Sequence, residues 1–114
     1  MITEKTVDTY TLKIKMAGDI GQARMLVNKF ARLTGICVTL DPTLYIYTGG
    51  EETGFVVGFI NYPRFATAPD LLWDAAKKMA ELLLREMNQL SCLIEGPTTT
   101  LWMTQREQKE QQYG

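Results

Sequence analysis

The sequence contains no histidine among its 114 residues and only two cysteines. Without an imidazole, the chain cannot build a Ser-His-Asp triad, a Cys-His pair or a histidine-ligated metal site. Cys37 and Cys92 lie in separate predicted strands and neither belongs to a CxxC motif, so we expect buried free thiols rather than a disulfide or metal ligands. The adjacent carboxylates of Glu51 and Glu52 fall in a glycine-rich turn without the further oxygen ligands that a cation site needs. These absences predict a protein with no metal, no cofactor and no enzymatic activity.

Long apolar runs and an excess of one charge are also absent. No apolar segment approaches the roughly 20 residues of a membrane-spanning helix, and the polar residues 1–5 do not resemble a signal peptide. Twelve basic residues against thirteen acidic ones leave a net charge of −1, which gives no general attraction to duplex DNA or to an anionic membrane. The sequence therefore predicts an intracellular protein that contacts neither a membrane nor duplex DNA.

The composition that is present predicts one folded domain. At 114 residues and 46% hydrophobic, the chain is long enough for one core and too short for two. Residues 1–104 are predicted to form a single α+β domain. Residues 105–114 are polar and mixed in charge, which predicts a frayed or weakly helical C-terminal tail.

Alternating and helical patterns mark the first three elements. Residues 9–17 alternate between apolar and polar side chains, which predicts a half-buried strand. Asp19 and Gly35 carry the N-cap and C-cap signals of a first helix. Residues 36–47 alternate again across Pro42, which predicts a second strand, kinked or bulged there, at the edge of a sheet.

The second half of the chain supplies a third strand, a second helix and a last strand. Residues 55–60 are predicted to form the third and central strand, and a second helix begins near Thr67. Residues 91–104 are predicted to form the last strand, with a bulge at Gly96 and Pro97. The order β-α-β-β-α-β predicts a ferredoxin-like sandwich, with a four-stranded antiparallel sheet and two helices on one of its faces.

The third strand is apolar on both sides, although two helices on one face of a sheet can cover only one of them. We call the face that the helices leave uncovered the open face, and we expect it to carry aromatic side chains. Phe55 and Phe59 are assigned to the open face, with Ile60 as the alternative. The predicted binding surface on this face comprises Tyr45, Tyr47, Phe55, Phe59 and Trp102.

Arg64 is a separate candidate for ligand binding. It follows the third strand beside the start of the second helix, where the helix dipole would help it hold a phosphate or a carboxylate. The alternative is a surface arginine tethered between Tyr62 and Phe65.

The aromatic open face fits two uses. Copies of the chain can associate through it, or through the edge strand at residues 44–48, which would bury the exposed aromatic rings in a homo-oligomer. Alternatively, the rings can stack on a base or on another planar ligand.

Two known kinds of protein provide alternative functions for this face. The RNA-recognition fold has the same element order, and the Gly-Phe pairs at 54–55 and 58–59 resemble its aromatic signature, although Glu51 and Glu52 stand where that family is basic. A regulatory module of the ACT-like kind would bind a small molecule at a subunit interface beside the glycine turn at 49–50.

Four segments are similar to a group of small proteins encoded by tailed bacteriophages: 47–55, 61–65, 10–12 and 101–102. The resemblance implies a protein that works in the bacterial cytoplasm during infection. It implies a non-enzymatic accessory factor against host defences, which occupies a host protein or sequesters a small anionic, nucleotide-like ligand. The resemblance assigns no functional residues.

Overall fold

The computed structural model describes residues 1–105, which form two α-helices, one 3-10 turn and five strands. The elements in chain order are β1 (Thr11–Ala17), α1 (Ile20–Thr34), β2 (Val38–Tyr47), β3 (Gly50–Ile60), the 3-10 turn Pro63–Phe65, α2 (Pro69–Glu86), β4 (Ser91–Glu95) and β5 (Thr100–Thr104). The strands form one antiparallel sheet in the order β2-β3-β1-β4-β5. Except for Gln105, the predicted C-terminal tail lies outside the described residues.

The hydrophobic core lies between the sheet and the two helices, which pack on the same face. Its largest fully buried side chains are those of Leu12, Ile14, Met16, Phe55, Val57, Met79, Leu83 and Ile94. This arrangement is the α+β ferredoxin-like sandwich that the element order predicted. No helix within residues 1–105 is long and apolar enough to cross a membrane.

The sheet has five strands, not the predicted four, because residues 91–104 form a hairpin. The N–H of Gly96 donates to the carbonyl of Thr99 at 2.8 Å, which closes a turn with Pro97 at its second position. Leu93 of β4 then lies opposite Trp102 of β5. The Gly-Pro pair that we interpreted as a bulge is therefore a reversal of the chain, and it places β5 at an edge of the sheet.

The ends of α1 follow the sequence prediction. The carboxylate of Asp19 accepts a hydrogen bond from the Gln22 N–H at 2.9 Å, and Gly35 ends the helix in the left-handed region at φ 76°. Pro69 occupies the first turn of α2, as predicted, but the helix begins after Ala68 and Thr67 does not cap it. Instead, the Thr67 N–H donates to the Asn61 side chain at 2.8 Å.

The register around β1 determines which side of β3 is buried. Residues directly opposite each other in an antiparallel pair point to the same face, and Phe55 and Phe59 lie opposite Met16 and Leu12. Both phenylalanines therefore face the helices, with 0% and 2% of their surface exposed. The prediction that they lie on the open face is wrong, and the alternative, Ile60, is on it.

The strand order also corrects two smaller predictions. β1 occupies the middle of the sheet, and β3, which we expected at the centre, lies beside it. β2 lies at the edge, as Pro42 indicated, but its register with β3 runs from Val38 to Tyr47 without a skipped residue, so Pro42 causes no bulge.

The two cysteines differ in exposure, although both were expected to be buried. Cys92 is buried on β4, whereas Cys37 precedes β2 and is exposed, with its Sγ 3.1 Å from the hydroxyl of Tyr62. Burial raises the pKa of the Cys92 thiol to about 11. At pH 8, three units below that value, roughly one Cys92 thiol in a thousand is ionised.

We expect iodoacetamide at pH 8 to modify the native protein once, at Cys37, because the thiolate is the reacting species and Cys92 is both buried and protonated. Intact-mass spectrometry measures the number of modifications, which should rise to two in denaturant. The Cys37→Ser variant is the control and should remain unmodified while folded. Rapid modification of Cys92 in the native protein would contradict the assigned burial of β4.

Candidate functional site

The open face carries alternate residues of all five strands. Lys15 lies opposite Val56 on one side and Leu93 on the other, and Leu93 lies opposite Trp102. These four side chains therefore form one row across the sheet. Tyr45 and Tyr47 of β2 lie on the same face, opposite Glu52 and Gly50. Three residues of the predicted binding surface, Tyr45, Tyr47 and Trp102, thus share the open face.

A groove of about 240 Å³ runs between these aromatic side chains. We call it the open-face groove; the side chains that define it are Lys15, Ala17, Tyr45, Tyr47, Glu52, Ser91, Leu93 and Trp102. The short side chains of Ala17 and Ser91 leave space between the larger ones. The groove therefore combines aromatic surface with one cation and one carboxylate.

Tyr45 forms a fixed wall of the groove. Its hydroxyl donates to the carbonyl of Phe55 at 3.0 Å, and its ring lies against Gly54. A Cβ added at Gly54 would come within 2.5 Å of the Tyr45 ring and closer still to the Met16 carbonyl, so only glycine fits beneath the ring. Desolvation by burial raises the pKa of Tyr45 above its ordinary value. The phenol therefore remains a neutral donor at physiological pH.

Tyr47 and Glu52 form a hydrogen-bonded pair in the groove. The Tyr47 hydroxyl donates to Oε1 of Glu52 at 2.9 Å, and this hydrogen bond raises the pKa of Tyr47. Glu52 lies within β3 and not in the turn where the sequence placed it. Tyr47 therefore holds the Glu52 carboxylate in position at the groove.

An ion pair lies next to the groove. Lys15 Nζ contacts Oε1 of Glu95 at 2.8 Å, and both side chains are partly exposed. The hydrogen bond and charge of Lys15, with a smaller contribution from Lys13, hold the pKa of the Glu95 carboxyl below its ordinary value. Because the folded-state pKa is lowered, this pair stabilises the fold above the unfolded-state pKa, and its contribution is lost as the pH falls through the folded value.

The structure does not bring Arg64 to this site. Arg64 is exposed in the 3-10 turn that follows β3, between Tyr62 and Phe65, whose rings stack with centroids 5.3 Å apart. Eight residues of extended strand separate Glu52 from Ile60, which is about 27 Å. Arg64 is therefore a surface residue at the other end of β3.

Five of the side chains that define the groove were missed as site candidates: Lys15, Ala17, Glu52, Ser91 and Leu93. The alternation in β1 already placed Lys15 on the open face, but an isolated lysine gave no reason to choose it. Ser91 and Leu93 belong to the groove because β5 folds back beside them, and the sequence did not reveal that hairpin. Among residues 1–105, no group of three or more Cys, Asp and Glu side chains lies close enough together to hold a metal ion.

The fold and the groove together define a ferredoxin-like α+β protein with an aromatic, charged groove on its open sheet face. No protein-family model and no curated protein matches the chain. Among solved structures, a phage SAM lyase in complex with S-methyl-5'-thioadenosine aligns with a TM-score of 0.72 at 11% identity, covering 94% of this chain and 99% of the other. A phage SAM lyase in its apo state aligns with a TM-score of 0.67 at 14% identity, covering 94% and 98%.

These alignments show a shared fold, and the proteins that share it are phage proteins, in agreement with the resemblance seen in the sequence. They contradict two predictions, because a lyase is an enzyme. The prediction of a non-enzymatic accessory protein is wrong, and so is the prediction of no enzymatic activity; the ACT-like and RNA-binding alternatives are set aside with them. The absence of histidine excludes only the reactions that need an imidazole, and a reaction that uses carboxylate and tyrosine side chains leaves no motif in the sequence.

Proposed function

We propose that this protein cleaves S-adenosylmethionine in the open-face groove and releases S-methyl-5'-thioadenosine. The observation that carries the proposal is the likeness, over almost the whole of both chains, to a phage SAM lyase with S-methyl-5'-thioadenosine bound. The groove supports it independently, because its aromatic rings suit an adenine and its carboxylate suits a sulfonium cation.

The chemistry of the substrate explains why the absence of histidine is no obstacle. The bond between the sulfonium sulfur and the carbon chain of the amino acid breaks, and its electron pair goes to sulfur. Sulfur leaves as a neutral thioether, so the leaving group needs no proton and no metal. A lyase adds no water, so the carboxylate of the same molecule attacks the carbon that sulfur leaves. The C–O bond that forms replaces the C–S bond that breaks, and the carbon fragment is released as a lactone.

Different residues of the groove recognise different parts of this substrate. Tyr47 and Trp102 provide rings on which the adenine stacks, an interaction worth about 1–3 kcal/mol per base. Glu52, held by Tyr47, provides the negative charge that attracts the sulfonium. This positive charge disappears as the bond breaks, so Glu52 favours binding of the substrate over the neutral product.

A second copy of the chain completes the site. Trp102 and Tyr47 are 51% and 52% exposed in the isolated chain. The groove, at about 240 Å³, is smaller than the roughly 300–1,000 Å³ of typical ligand pockets. Burial of about 800 Å² per subunit on the open face gives a stable interface and encloses the ligand. The functional protein is therefore a homo-oligomer.

Substitution of Leu93 by Asp tests this interface. We expect a monomer, because the substitution places a hydrated carboxylate next to Trp102, where the interface would bury an apolar side chain, while the wild type elutes as an oligomer. Light scattering during size-exclusion chromatography gives the mass. Leu71→Asp is the matched control, since Leu71 is an exposed leucine on α2, and it should stay oligomeric. A wild type that is monomeric at tens of micromolar would contradict the interface.

The activity belongs in the cytoplasm of an infected bacterium, where S-adenosylmethionine is the methyl donor. Its loss would deprive the host of a substrate for methylation, including the methylation on which host defences depend. In this role the protein destroys a nucleotide-like ligand, whereas the sequence predicted that it sequesters one.

Incubation of the purified protein with S-adenosylmethionine tests the proposed function. Mass spectrometry should show S-methyl-5'-thioadenosine forming in equal amount to the substrate lost, well above a protein-free blank that corrects for spontaneous decay. The Trp102→Ala variant should cleave more slowly. Unchanged substrate, or S-adenosylhomocysteine as the product, would overturn the proposal.

A further inference from the structure

The Lys15–Glu95 ion pair has no role in the recognition described so far, although it borders the open-face groove. Lys15 lines the groove, and Glu95 lies two residues along β4 from Leu93, which also lines it. The two charged atoms are 2.8 Å apart, and both side chains reach solvent. The ion pair therefore lies where a ligand that extends out of the groove would meet it.

The substrate has a second end that differs chemically from its adenosine. That end is an α-amino acid, with one ammonium and one carboxylate group on the same carbon. The ion pair has the complementary charges at a short separation, because Lys15 can donate to a carboxylate and Glu95 can accept from an ammonium. The groove and the ion pair therefore match the two ends of one molecule.

We propose that Lys15 and Glu95 form a subsite for the amino-acid end of S-adenosylmethionine. The inference rests on the proposed function of the groove and adds to it the group that these two residues recognise. The substrate binds by opening the ion pair. Its carboxylate accepts a hydrogen bond from Lys15, and its ammonium donates one to Glu95. An ion pair between partly exposed side chains contributes little to stability, so its opening costs little.

A second cation, Lys13, also lies beside Glu95. Lys15 and, to a smaller extent, Lys13 lower the pKa of the Glu95 carboxyl, so Glu95 is an anion at neutral pH. Lys13 lies directly opposite Glu95 in the register of β1 and β4. When Lys15 turns to the substrate, Lys13 therefore remains as a cation beside Glu95.

The two-part site predicts that substrate binds more tightly than product. S-methyl-5'-thioadenosine has lost the amino-acid end, so it contacts the aromatic part of the groove and not the charged atoms of Lys15 and Glu95. Each cleavage therefore removes the contacts to Lys15 and Glu95 from the nucleoside that remains, which favours its release.

Isothermal titration calorimetry with two ligands tests the subsite on the full chain. S-methyl-5'-thioadenosine lacks the amino-acid end, while S-adenosylhomocysteine has it on a neutral sulfur that is a poor leaving group. We expect the wild type to bind S-adenosylhomocysteine more tightly. Lys15→Met should weaken that affinity about 10- to 100-fold, the range for a hydrogen bond to a charged group. It should leave the affinity for S-methyl-5'-thioadenosine within about twofold, which also shows that the variant is folded.

Two further variants complete the design. Glu95→Gln removes the other charge of the ion pair. It should also weaken the affinity for S-adenosylhomocysteine and not that for S-methyl-5'-thioadenosine. Lys78→Met is the matched control, because Lys78 forms an ion pair of similar length with Asp74 on α2, and it should change neither affinity.

The outcomes separate this inference from the proposed function. If Lys15→Met weakens the affinity for both ligands equally, or changes neither affinity, the subsite is overturned while cleavage in the groove stands. The subsite is equally overturned if the wild type binds both ligands with the same affinity. If the wild type binds neither ligand and does not cleave S-adenosylmethionine, the proposed function fails and the subsite fails with it.

Discussion

Substitution of Phe55 by Ala lowers the free energy of unfolding by about 3–5 kcal/mol, the range for removal of a buried phenylalanine ring. Phe55 is fully buried on β3, opposite Met16, and it faces the helices. The substitution removes the ring's contacts and leaves a cavity that the packed core can fill only in part. Because a domain of this size has about 5–15 kcal/mol of stability in total, the loss is a large share of it. Equilibrium unfolding in urea, at one fixed protein concentration, measures the change.

Phe65→Ala is the matched control for this prediction. Phe65 lies in the 3-10 turn Pro63–Phe65, is about half exposed and stacks on Tyr62. Loss of its ring should cost less than about 1.5 kcal/mol, the upper value for an aromatic pair. Equal losses in the two variants would mean that β3 presents its other side to the helices.

Substitution of Glu52 by Gln raises the KM for S-adenosylmethionine by about 10- to 100-fold, the effect of losing a contact with a charged group. The carboxamide keeps the shape of the side chain and can still accept from Tyr47, but it no longer attracts the sulfonium. The attraction is strongest before the bond breaks, so kcat should not fall. Initial rates over a range of substrate concentrations give KM and kcat separately.

The neighbouring carboxylate provides the control for Glu52. Glu51 lies opposite Ile46 and therefore points to the other face of β3, away from the groove. Glu51→Gln removes the same charge from the same strand and should leave KM within about twofold. If both variants raise KM equally, the effect comes from net charge and not from the groove. A fall in kcat in Glu52→Gln would indicate that Glu52 takes part in the bond-breaking step.

Local signals in the sequence predicted the order of the elements. The caps at Asp19 and Gly35 and the strict alternation in β1 depend on contacts within a few residues, and the structure confirms them. The alternation in β2 likewise put Tyr45 and Tyr47 on the open face. The sequence signal for Gly96 and Pro97 was present but ambiguous, because a glycine followed by proline fits a bulge as well as a tight turn.

The buried side of β3 could not be read from its own residues. Both sides of residues 55–60 are apolar, so periodicity gives no preference between Phe55 and Val56. The choice depends on pairing with β1, which is a contact between residues about 40 positions apart. The same limit hid the groove, because Lys15, Glu52 and Leu93 come from three strands that only the folded sheet brings together.

Titration of the ¹⁵N-labelled protein with S-methyl-5'-thioadenosine, followed by NMR, tests most directly the claim that the open-face groove is the site. The chain has two tryptophans, and their indole N–H signals report on two different places. Trp102 lines the groove, whereas Trp73 on α2 donates its indole N–H to the Tyr10 hydroxyl at 2.7 Å. We predict that the Trp102 indole signal shifts in a saturable manner while the Trp73 signal does not. A saturable shift of Trp73 alone, or no shift of either signal at millimolar ligand, would contradict the account.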